Sequence, residues 1–360
     1  MQKSPIKDKL KKIFASAKGA DVIFLRNNFY SDPNFLYITG YTNSLFEDNV
    51  LILTRTGAYH IASPLDYESA LLDKHPEIKV IKMTRDGAHR KVLKRLLGGK
   101  NVGINGSFLT YEVYVALKKN YKPKKIIDVS DAFDLARVIK SEQEIESIRQ
   151  AVRITKWTMF QVQREFKEGM TERELATKFD SISSALGSQR PPSPTIVCFG
   201  KNSALEHHFP DNTKLVDGDF ILIDAGAVVN NYCSDISRTF IFGKQDPEKL
   251  EIYKVVKEAQ VKAMRALKVG TKASDVFKIA DDHINQASGG KYKGKFTHAL
   301  GHSLGIEEHD STLMLLSPSV DEPLRAGAVI TVEPGIYLTG YGGVRVEDDI
   351  LITDEGPMIL

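Results

Sequence analysis

Short apolar runs alternate with helical patterns over the first part of the chain. Four runs predict short buried strands: Asp21–Leu25, Asn49–Thr54, Ile78–Met83 and Asn101–Ile104. Strands that alternate with helices are typical of an α/β domain. The pattern therefore predicts an α/β N-terminal domain over residues 1–132, followed by a linker over residues 133–140.

Several helices are predicted to follow the linker. Ser141 and Thr171 each precede a glutamate, Glu144 and Glu174, at the three-residue spacing of a capping box. Apolar residues at helical spacing follow Ser141, and the helix that begins at Thr171 is expected to end near Gly187. Two further helices are expected at about 247–268 and 274–287.

Strand patterns dominate residues 195–243 and 328–354, which are interrupted by glycines. With the preceding helices, they predict a second domain over residues 141–360. The length of 360 residues agrees with two domains, because a domain usually has about 100–200 residues. The content of 42% hydrophobic and 26% charged residues is ordinary for a globular protein and excludes disordered and fibrous classes.

Charge, hydropathy and cysteine content narrow the partners and the compartment. The formal net charge is +3, and we interpret the densest basic stretch, Lys118–Lys125, as a solvated face, so no nucleic-acid partner is expected. No apolar run approaches the roughly 18 residues that span a bilayer, and the first residues lack the apolar stretch of a signal peptide. Two cysteines, Cys198 and Cys233, make no disulfide framework. We therefore expect a cytoplasmic, reduced protein without a membrane partner.

Five of the nine histidines fall in two short segments. They are His207 and His208, then His298, His302 and His309. A single histidine is more often structural than functional. Two clusters in a chain that also carries acidic residues inside apolar strands indicate a metal or catalytic site.

A predicted hairpin over residues 219–243 carries two aspartates, Asp224 at the end of an apolar run and Asp235 before the second strand. A turn centred on Asn230 and Asn231, which tolerate positive φ, makes the aspartates diagonal neighbours on one face. A turn centred one residue earlier places them directly opposite. Either register brings like charges together, which is destabilising unless a cation or proton lies between them. The hairpin therefore predicts a shared metal.

Two C-terminal strands with acidic residues are predicted at Val329–Leu338 and Val344–Ile352. Glu333 precedes Pro334, and a proline inside a strand implies an edge or a bulge. In the second strand Arg345, Glu347 and Asp349 share one face, because side chains alternate. A purely structural interpretation makes Arg345 the partner of Glu347.

Four carboxylates and one imidazole form an oxygen-rich donor set that suits manganese, cobalt, iron or zinc, and their charge would neutralise two divalent ions. Two ions about 4 Å apart can hold a bridging hydroxide, polarise a carbonyl and stabilise an oxyanion. The residues thus point to metal-dependent hydrolysis.

Five motifs in this order resemble the pita-bread metallopeptidases, a superfamily that contains methionine aminopeptidase, prolidase, aminopeptidase P and creatinase. The motifs are DAG at Asp224, SDISRTF at Asp235, GHSLG at His302, VEPGIY at Glu333 and GVRVEDD at Glu347. The resemblance implies an α+β pita-bread catalytic domain over residues 141–360. Asn34–Gly40 (NFLYITG) is similar to the YLTG stretch of the creatinase-type N-terminal domain, which implies that fold for residues 1–132. The short length is most similar to the Xaa-Pro dipeptidases (prolidases).

The resemblance implies a role for each candidate residue. The metal ligands would be Asp224, Asp235, His302, Glu333 and Glu347, of which Asp235 and Glu347 would bridge both ions. The catalytic group would be His207 on the substrate side, His309 at the tetrahedral intermediate, Glu333 as general base, and His298 and Arg345 as supporting residues. The implied cofactors are two divalent ions per chain, manganese or cobalt first, with zinc and iron as alternatives and no other cofactor.

Three features depart from the family pattern. They are Glu206 in place of a proline, Asp310 with the residues that follow it, and the proline-rich residues 188–200. We expect all three to lie where the substrate binds and to affect specificity rather than catalysis.

The implied function is hydrolysis of the Xaa-Pro bond of dipeptides by a metal-bridging hydroxide. An aminopeptidase P that releases the N-terminal residue from longer Xaa-Pro peptides is the main alternative. A creatinase-like amide or amidine hydrolase and an inactive binding module are further alternatives. The resemblance also implies a homodimer, in which the N-terminal domain excludes long peptides from the cleft.

Overall fold

The structure is a computed structural model that describes residues 5–73 and 75–360. The chain divides into two compact units, 1–136 and 137–360. The division falls inside the helix Ser130–Val138, so the segment 133–140, expected to be a linker, is largely helical. No helix within the described ranges is long and apolar enough to cross a membrane.

The N-terminal unit is built around a mixed sheet. Its strands are β1 Val22–Arg26, β2 Val50–Leu53, β3 Ala58–Ala62, β4 Ile78–Lys82, β5 Asn101–Ile104 and β6 Lys125–Asp128, in the order β4-β3-β2-β1-β5-β6. Its helices are α1 Pro5–Ser16, α2 Pro33–Thr39, α3 Tyr67–Leu72, α4 Ala88–Leu97 and α5 Tyr111–Tyr121, and α6 is Ser130–Val138. The four predicted strands are present, whereas β3 and β6 were not predicted. In β3 the buried His60, whose Nε2 lies 2.8 Å from Asn49 Oδ1, interrupts the apolar pattern.

Helices on the second unit begin where the sequence predicts. They are α7 Glu142–Gln163, α8 Glu172–Ala185, α9 Pro247–Ala266 and α10 Ala273–Ala287, with short 3-10 helices at Gly200–Ala204 and Thr312–Met314. Both capping boxes are present, at Ser141 with Glu144 and at Thr171 with Glu174. Apolar side chains of α9 and α10 pack with the C-terminal strands in one buried cluster.

The strands of the second unit form small antiparallel sheets. They are β7 Ile196–Phe199, β8 Phe220–Ala225, β9 Val228–Val229, β10 Tyr232–Cys233, β11 Ile236–Ile241, β12 Val329–Val332, β13 Gly335–Leu338, β14 Gly342–Arg345, β15 Asp348–Thr353 and β16 Gly356–Ile359. Their orders are β11-β8-β7, β10-β9, β12-β15-β16 and β13-β14. Each predicted C-terminal strand is therefore two strands. The first breaks at Glu333 and Pro334, and the second breaks at Val346 and Glu347.

Candidate metal centre

The hairpin of β8 and β11 positions Asp224 and Asp235. Its turn consists of Asn230 and Asn231, with φ of 50° and 68°, so the later of the two expected registers is correct. In this register Asp224 pairs with Ser237, and Asp235 lies diagonally from it, just before β11. The two carboxyl groups are near enough to share a hydrogen bond when one is protonated.

The breaks in the C-terminal strands carry Glu333 and Glu347. Ladder pairing joins β12 to β15 and β13 to β14, and both glutamates lie in the unpaired gap between the two ladders. The main-chain N–H of Glu333 donates to Leu300 O at 2.8 Å, and that of Glu347 donates to Ser237 O at 3.1 Å. At each break a main-chain hydrogen bond thus joins a glutamate to a segment that carries another candidate ligand.

His302 lies between the acidic residues. Its Nε2 is 3.5 Å from Asp235 Oδ2 and 3.6 Å from Glu333 Oε1. Its Nδ1 is 3.2 Å from Ser303 O, a carbonyl that can only accept, so Nδ1 carries the proton and Nε2 keeps its lone pair. One ligand atom each of Asp235, His302 and Glu347 lies within 4.8 Å of the other two.

Arg345 pairs with Asp224 rather than directly with Glu347, so the purely structural interpretation of this pair does not hold. Its Nη2 donates to Asp224 Oδ2 at 2.5 Å, and its Nε donates to Ser237 Oγ at 2.9 Å. Ser237 Oγ in turn donates to Glu347 Oε2 at 2.8 Å. Arg345 therefore orients Glu347 through Ser237, which lies in β11, in a different sheet from Arg345 in β14.

Buried negative charge dominates this cluster. Burial, reinforced by neighbouring carboxylates, raises the pKa of Asp235 and Glu347 well above their ordinary values. Burial also raises the pKa of Glu333 to about 8. Burial acts in the same direction on Asp224, but Arg345 outweighs it and the pKa of Asp224 is lowered. Glu347 Oε1 is buried without a hydrogen-bond partner. An oxygen-rich donor set with one imidazole, an unpaired buried oxygen and clustered like charges fits divalent metal ions.

A cavity of about 580 Å³ adjoins the cluster. It is lined by every predicted site residue: Asp224, Asp235, Glu333, Glu347, His302, His207, His298, His309 and Arg345. Two departures from the family pattern, Glu206 and the proline-rich segment through Ser193, also line it, as expected. Pro194, Phe209 and Leu315 form an apolar part of the cavity wall.

His298 is held in its neutral form beside the cluster. Its Nδ1 donates to Ala299 O at 2.7 Å, so its Nε2 accepts from the hydroxyl of Tyr337 at 2.8 Å. That hydroxyl accepts from Arg345 Nη1 at 2.9 Å. Burial, helped by Arg345, lowers the pKa of His298 to about 4. His298 and Tyr337 thus hold the Arg345 guanidinium in place through two consecutive hydrogen bonds.

His309 is exposed in the cavity wall, and its ring meets the His302 ring edge-on at 4.2 Å between centroids. Burial lowers the pKa of both imidazoles, to about 4 for His302. Both are therefore neutral at pH 7, the form in which an imidazole binds metal or donates one N–H. His207 is exposed in the wall of the same cavity.

Three functional candidates were missed from the sequence: Ser237, Tyr337 and Glu308. Ser237 and Tyr337 act through contacts across strands, which sequence spacing does not show. Glu308 lines the cavity, and its signal in the sequence is the acidic doublet before His309. Burial raises the pKa of Glu308 to about 7, against the opposing hydrogen bond from Ser193.

Two family models match the chain. Residues 8–139 match the creatinase/prolidase N-terminal domain, and residues 146–354 match metallopeptidase family M24. The chain belongs to metallopeptidase family M24. The resemblance noted in the sequence is thereby confirmed, as are its fold class and its assignment as a hydrolase.

Relatives of this metallopeptidase match over nearly their whole length. The Xaa-Pro dipeptidase of Pyrococcus horikoshii is 35% identical over 351 residues, covering 97% of this chain and 95% of that protein. The structure of a Xaa-Pro dipeptidase from Bacillus anthracis has a TM-score of 0.88 at 28% identity, covering 98% of this chain and 97% of that chain. The prolidase structure from P. horikoshii has a TM-score of 0.87 at 34% identity, with the same coverage of 98% and 97%.

Asp310 does not line the metallopeptidase cavity, contrary to expectation. Its buried carboxylate lies 3.0 Å from Lys140 Nζ and 3.6 Å from Arg137 Nε. It also accepts two main-chain N–H bonds from the preceding loop. Asp310 therefore fastens the loop that carries His302 and His309, and only the residues after it reach the cavity wall.

We expect Asp310→Asn to lower the free energy of unfolding by about 3–5 kcal/mol at pH 7, because the change leaves Lys140 buried without its counter-ion. Although burial raises the pKa of Asp310, Lys140 and Arg137 outweigh it and lower the pKa below 3.8. The ion pair therefore stabilises the fold above the unfolded-state pKa, and its contribution is lost as pH falls through the folded-state pKa. Urea titrations at pH 7 and pH 3 measure this, and an equal difference at both pH values would contradict it.

A second group of ligand-type atoms lies outside the cavity, at Glu172, His208 and Asp211. The buried Glu172 carboxylate accepts from the main-chain N–H groups of Phe199 at 2.7 Å and Asp211 at 3.1 Å, and lies 2.9 Å from His208 Nε2. Its oxygens are thus occupied by donors at both ends of one loop. We interpret this group as a clamp on the loop that carries His207.

Proposed function

We propose that this metallopeptidase hydrolyses the Xaa-Pro bond of dipeptides. The proposal rests on one observation: four carboxylates and the free Nε2 of His302 converge at a cavity of about 580 Å³. The relatives named Xaa-Pro dipeptidase support the substrate class. An X–Pro bond is a tertiary amide without an N–H, so an apolar wall can select it by ring shape. Pro194, Phe209 and Leu315 offer such a wall.

Two divalent ions fit the donor set, manganese or cobalt first and zinc or iron as alternatives. When bound, they supply a hydroxide nucleophile and polarise the scissile carbonyl. Asp224, oriented by Arg345, would hold one ion, Asp235 and Glu347 would contact both, and His302 with Glu333 would complete the second.

Three residues would act on the attacking water or on the substrate. Glu333, besides holding metal, would take the proton of the attacking water and return it to the leaving proline nitrogen, a role that its position in the cavity wall allows. The neutral His309 donates its N–H to the oxyanion that develops on the carbonyl. His207, in the loop that the clamp of Glu172, His208 and Asp211 holds, would contact the substrate.

Chelation separates this proposal from its alternatives. We expect the chelated protein to lose hydrolysis of Ala-Pro and to regain it with manganese or cobalt. A binding module would be inactive in both states. A creatinase-like hydrolase would cleave a small amidine such as creatine but not Ala-Pro.

One observation favours a second candidate, an aminopeptidase P. Among the described residues that line the cavity, Arg345 is the single arginine or lysine, and Asp224 engages it. The C-terminal carboxylate of a dipeptide therefore meets no free cation in this wall, whereas a longer peptide carries an amide there. Comparing kcat/KM for Ala-Pro and Ala-Pro-Ala-Ala decides between the two, because a dipeptidase prefers the first and an aminopeptidase the second.

We propose that the chain forms a homodimer and that its N-terminal unit restricts substrate length. A closed two-fold dimer is the commonest soluble oligomer. A truncated chain that begins at Ser130 keeps Arg137 and Lys140, so we expect it to bind metal and to accept tetrapeptides. One that begins at Ser141 removes both cations of Asp310, and we expect it to unfold. Light scattering that shows an active monomer would contradict the dimer, and a Ser130 truncation that still refuses tetrapeptides would contradict the length restriction.

A further inference from the structure

Two adjacent glutamates precede His309, and the structure gives them different surroundings. Glu307 Oε2 lies 2.7 Å from Arg137 Nη2 and does not line the cavity. Glu308 is half-buried, lines the cavity, and accepts a hydrogen bond from Ser193 Oγ at 2.7 Å through Oε1. Among the described residues, no lysine, arginine or histidine lies within ion-pair distance of Glu308, and the more distant charge of Arg190 offsets the burial of this carboxyl group only in part.

The proline-rich segment fixes the hydroxyl that holds Glu308. Ser193 lies between Pro192 and Pro194, and each proline ring restricts its own φ and the backbone of the residue before it. The Ser193–Glu308 pair is therefore pre-organised on one wall of the cavity. This gives the segment, which departs from the family pattern, a specific role.

Charge balance indicates what Glu308 binds. Two divalent ions would neutralise the four carboxylates of the centre, Arg137 and Lys140 compensate Asp310, and Glu206 hydrogen-bonds with the Thr297 hydroxyl. Glu308 then remains beside the centre as a partly buried carboxyl group that has no ion-pair partner and ionises more readily when a cation lies against it. Withdrawing an anion from water is costly unless a cation pairs with it, so the cavity favours a ligand with positive charge next to the reacting group.

An exopeptidase substrate carries such a charge. Its α-ammonium nitrogen is two covalent bonds from the scissile carbonyl carbon, about 2.5 Å away given standard bond lengths. Glu308 directly precedes His309, whose ring contacts the His302 ring. Glu308 also lines the same cavity as His302 and Glu333, so it borders the space that a free amino terminus must occupy.

We propose that Glu308, held by Ser193, binds the free α-ammonium group of the substrate and is a specificity-determining residue of this site. This inference rests on the proposed function. It makes a free amino terminus a requirement that is independent of the metal ligands.

The test compares Ala-Pro with N-acetyl-Ala-Pro in the metal-loaded wild type and in Glu308→Gln. For the wild type we expect strong preference for the free amine. In Glu308→Gln we expect KM for Ala-Pro to rise roughly ten- to hundredfold, the range for loss of a hydrogen bond to a charged group, with kcat and metal content nearly unchanged. KM for the acetylated peptide should not rise. Ser193→Ala should give a smaller change in the same direction.

Glu355→Gln is the matched control, because it removes an exposed carboxylate that does not line the cavity and should leave the preference for a free amine unchanged. Three results for Glu308→Gln would overturn the proposal. They are an unaltered KM for Ala-Pro, equal losses on Ala-Pro and N-acetyl-Ala-Pro, and, when Lys-Pro is tested as a third peptide, a loss confined to Lys-Pro. A wild type that cleaves both Ala-Pro peptides equally would overturn it while leaving the dipeptidase function intact. A wild type that cleaves neither would refute the function instead. In that case calorimetric titration with alanine still tests the role of Glu308, because Glu308→Gln must weaken the binding of alanine.

Discussion

Replacing Asp235 by asparagine should remove metal from the centre and lower turnover at least roughly a hundredfold. The side chain keeps its shape, but a charge that two cations are proposed to share is lost. In the metal-free protein, by contrast, the same change should not lower thermal stability. Burial and the neighbouring carboxylates raise the pKa of Asp235, so removing its charge relieves repulsion there. We therefore expect the Tm of the chelated variant to equal or exceed that of the chelated wild type.

Elemental analysis, turnover of Ala-Pro and thermal melts with and without chelator measure these effects. The matched control is Asp354→Asn, an exposed aspartate in the turn between β15 and β16, which should change none of the three. Two ions per chain and near-normal turnover in Asp235→Asn would show that Asp235 is not a ligand. A variant that melts early even when chelated would point to a structural role.

His309→Ala should lower kcat by roughly 10²–10³ while metal content stays at the wild-type level, as expected for loss of one donor to the oxyanion. His302→Ala should instead lower metal content. The two rings touch, yet His302 is buried with Nε2 toward Asp235 and Glu333, whereas His309 is exposed to the cavity. The contrast therefore follows from orientation rather than from proximity.

Titrating manganese into each variant separates the two histidines. Excess metal should rescue His302→Ala in part, because weak binding can be overcome by concentration, and should not rescue His309→Ala. Equal metal loss in both variants would show that this division of roles is wrong.

The sequence predicts those parts of the site that depend on local rules. Asn230 and Asn231 allow a turn with positive φ, and this alone brings Asp224 and Asp235 onto one face. Capping boxes likewise predict where α7 and α8 begin, because both partners of each capping hydrogen bond lie within one turn of the helix.

The parts that were not predicted depend on contacts between distant segments. Strand propensity continues through Glu333 and Glu347, and only the pairing partners show that both strands break there. Asp310 was expected near the substrate because the segment that begins with it departs from the family pattern, but Lys140, which lies far away in sequence, holds its carboxylate in the interior. Arg345 and Glu347 would share a face only in a continuous strand, whereas the strand breaks between them and Arg345 pairs with Asp224 on another sheet.

The strand breaks also determine how the site is assembled. The main-chain bonds of Glu333 to Leu300 and of Glu347 to Ser237, with that of Thr331 to His302, join the ligand-bearing segments to one another without any ion. The main chain therefore holds the ligand-bearing segments together independently of their side chains, so replacing one ligand side chain should leave the arrangement of the others in place. A donor set of carboxylates and one imidazole accepts several first-row ions. The choice among the proposed ions would then depend on which of them the surroundings supply.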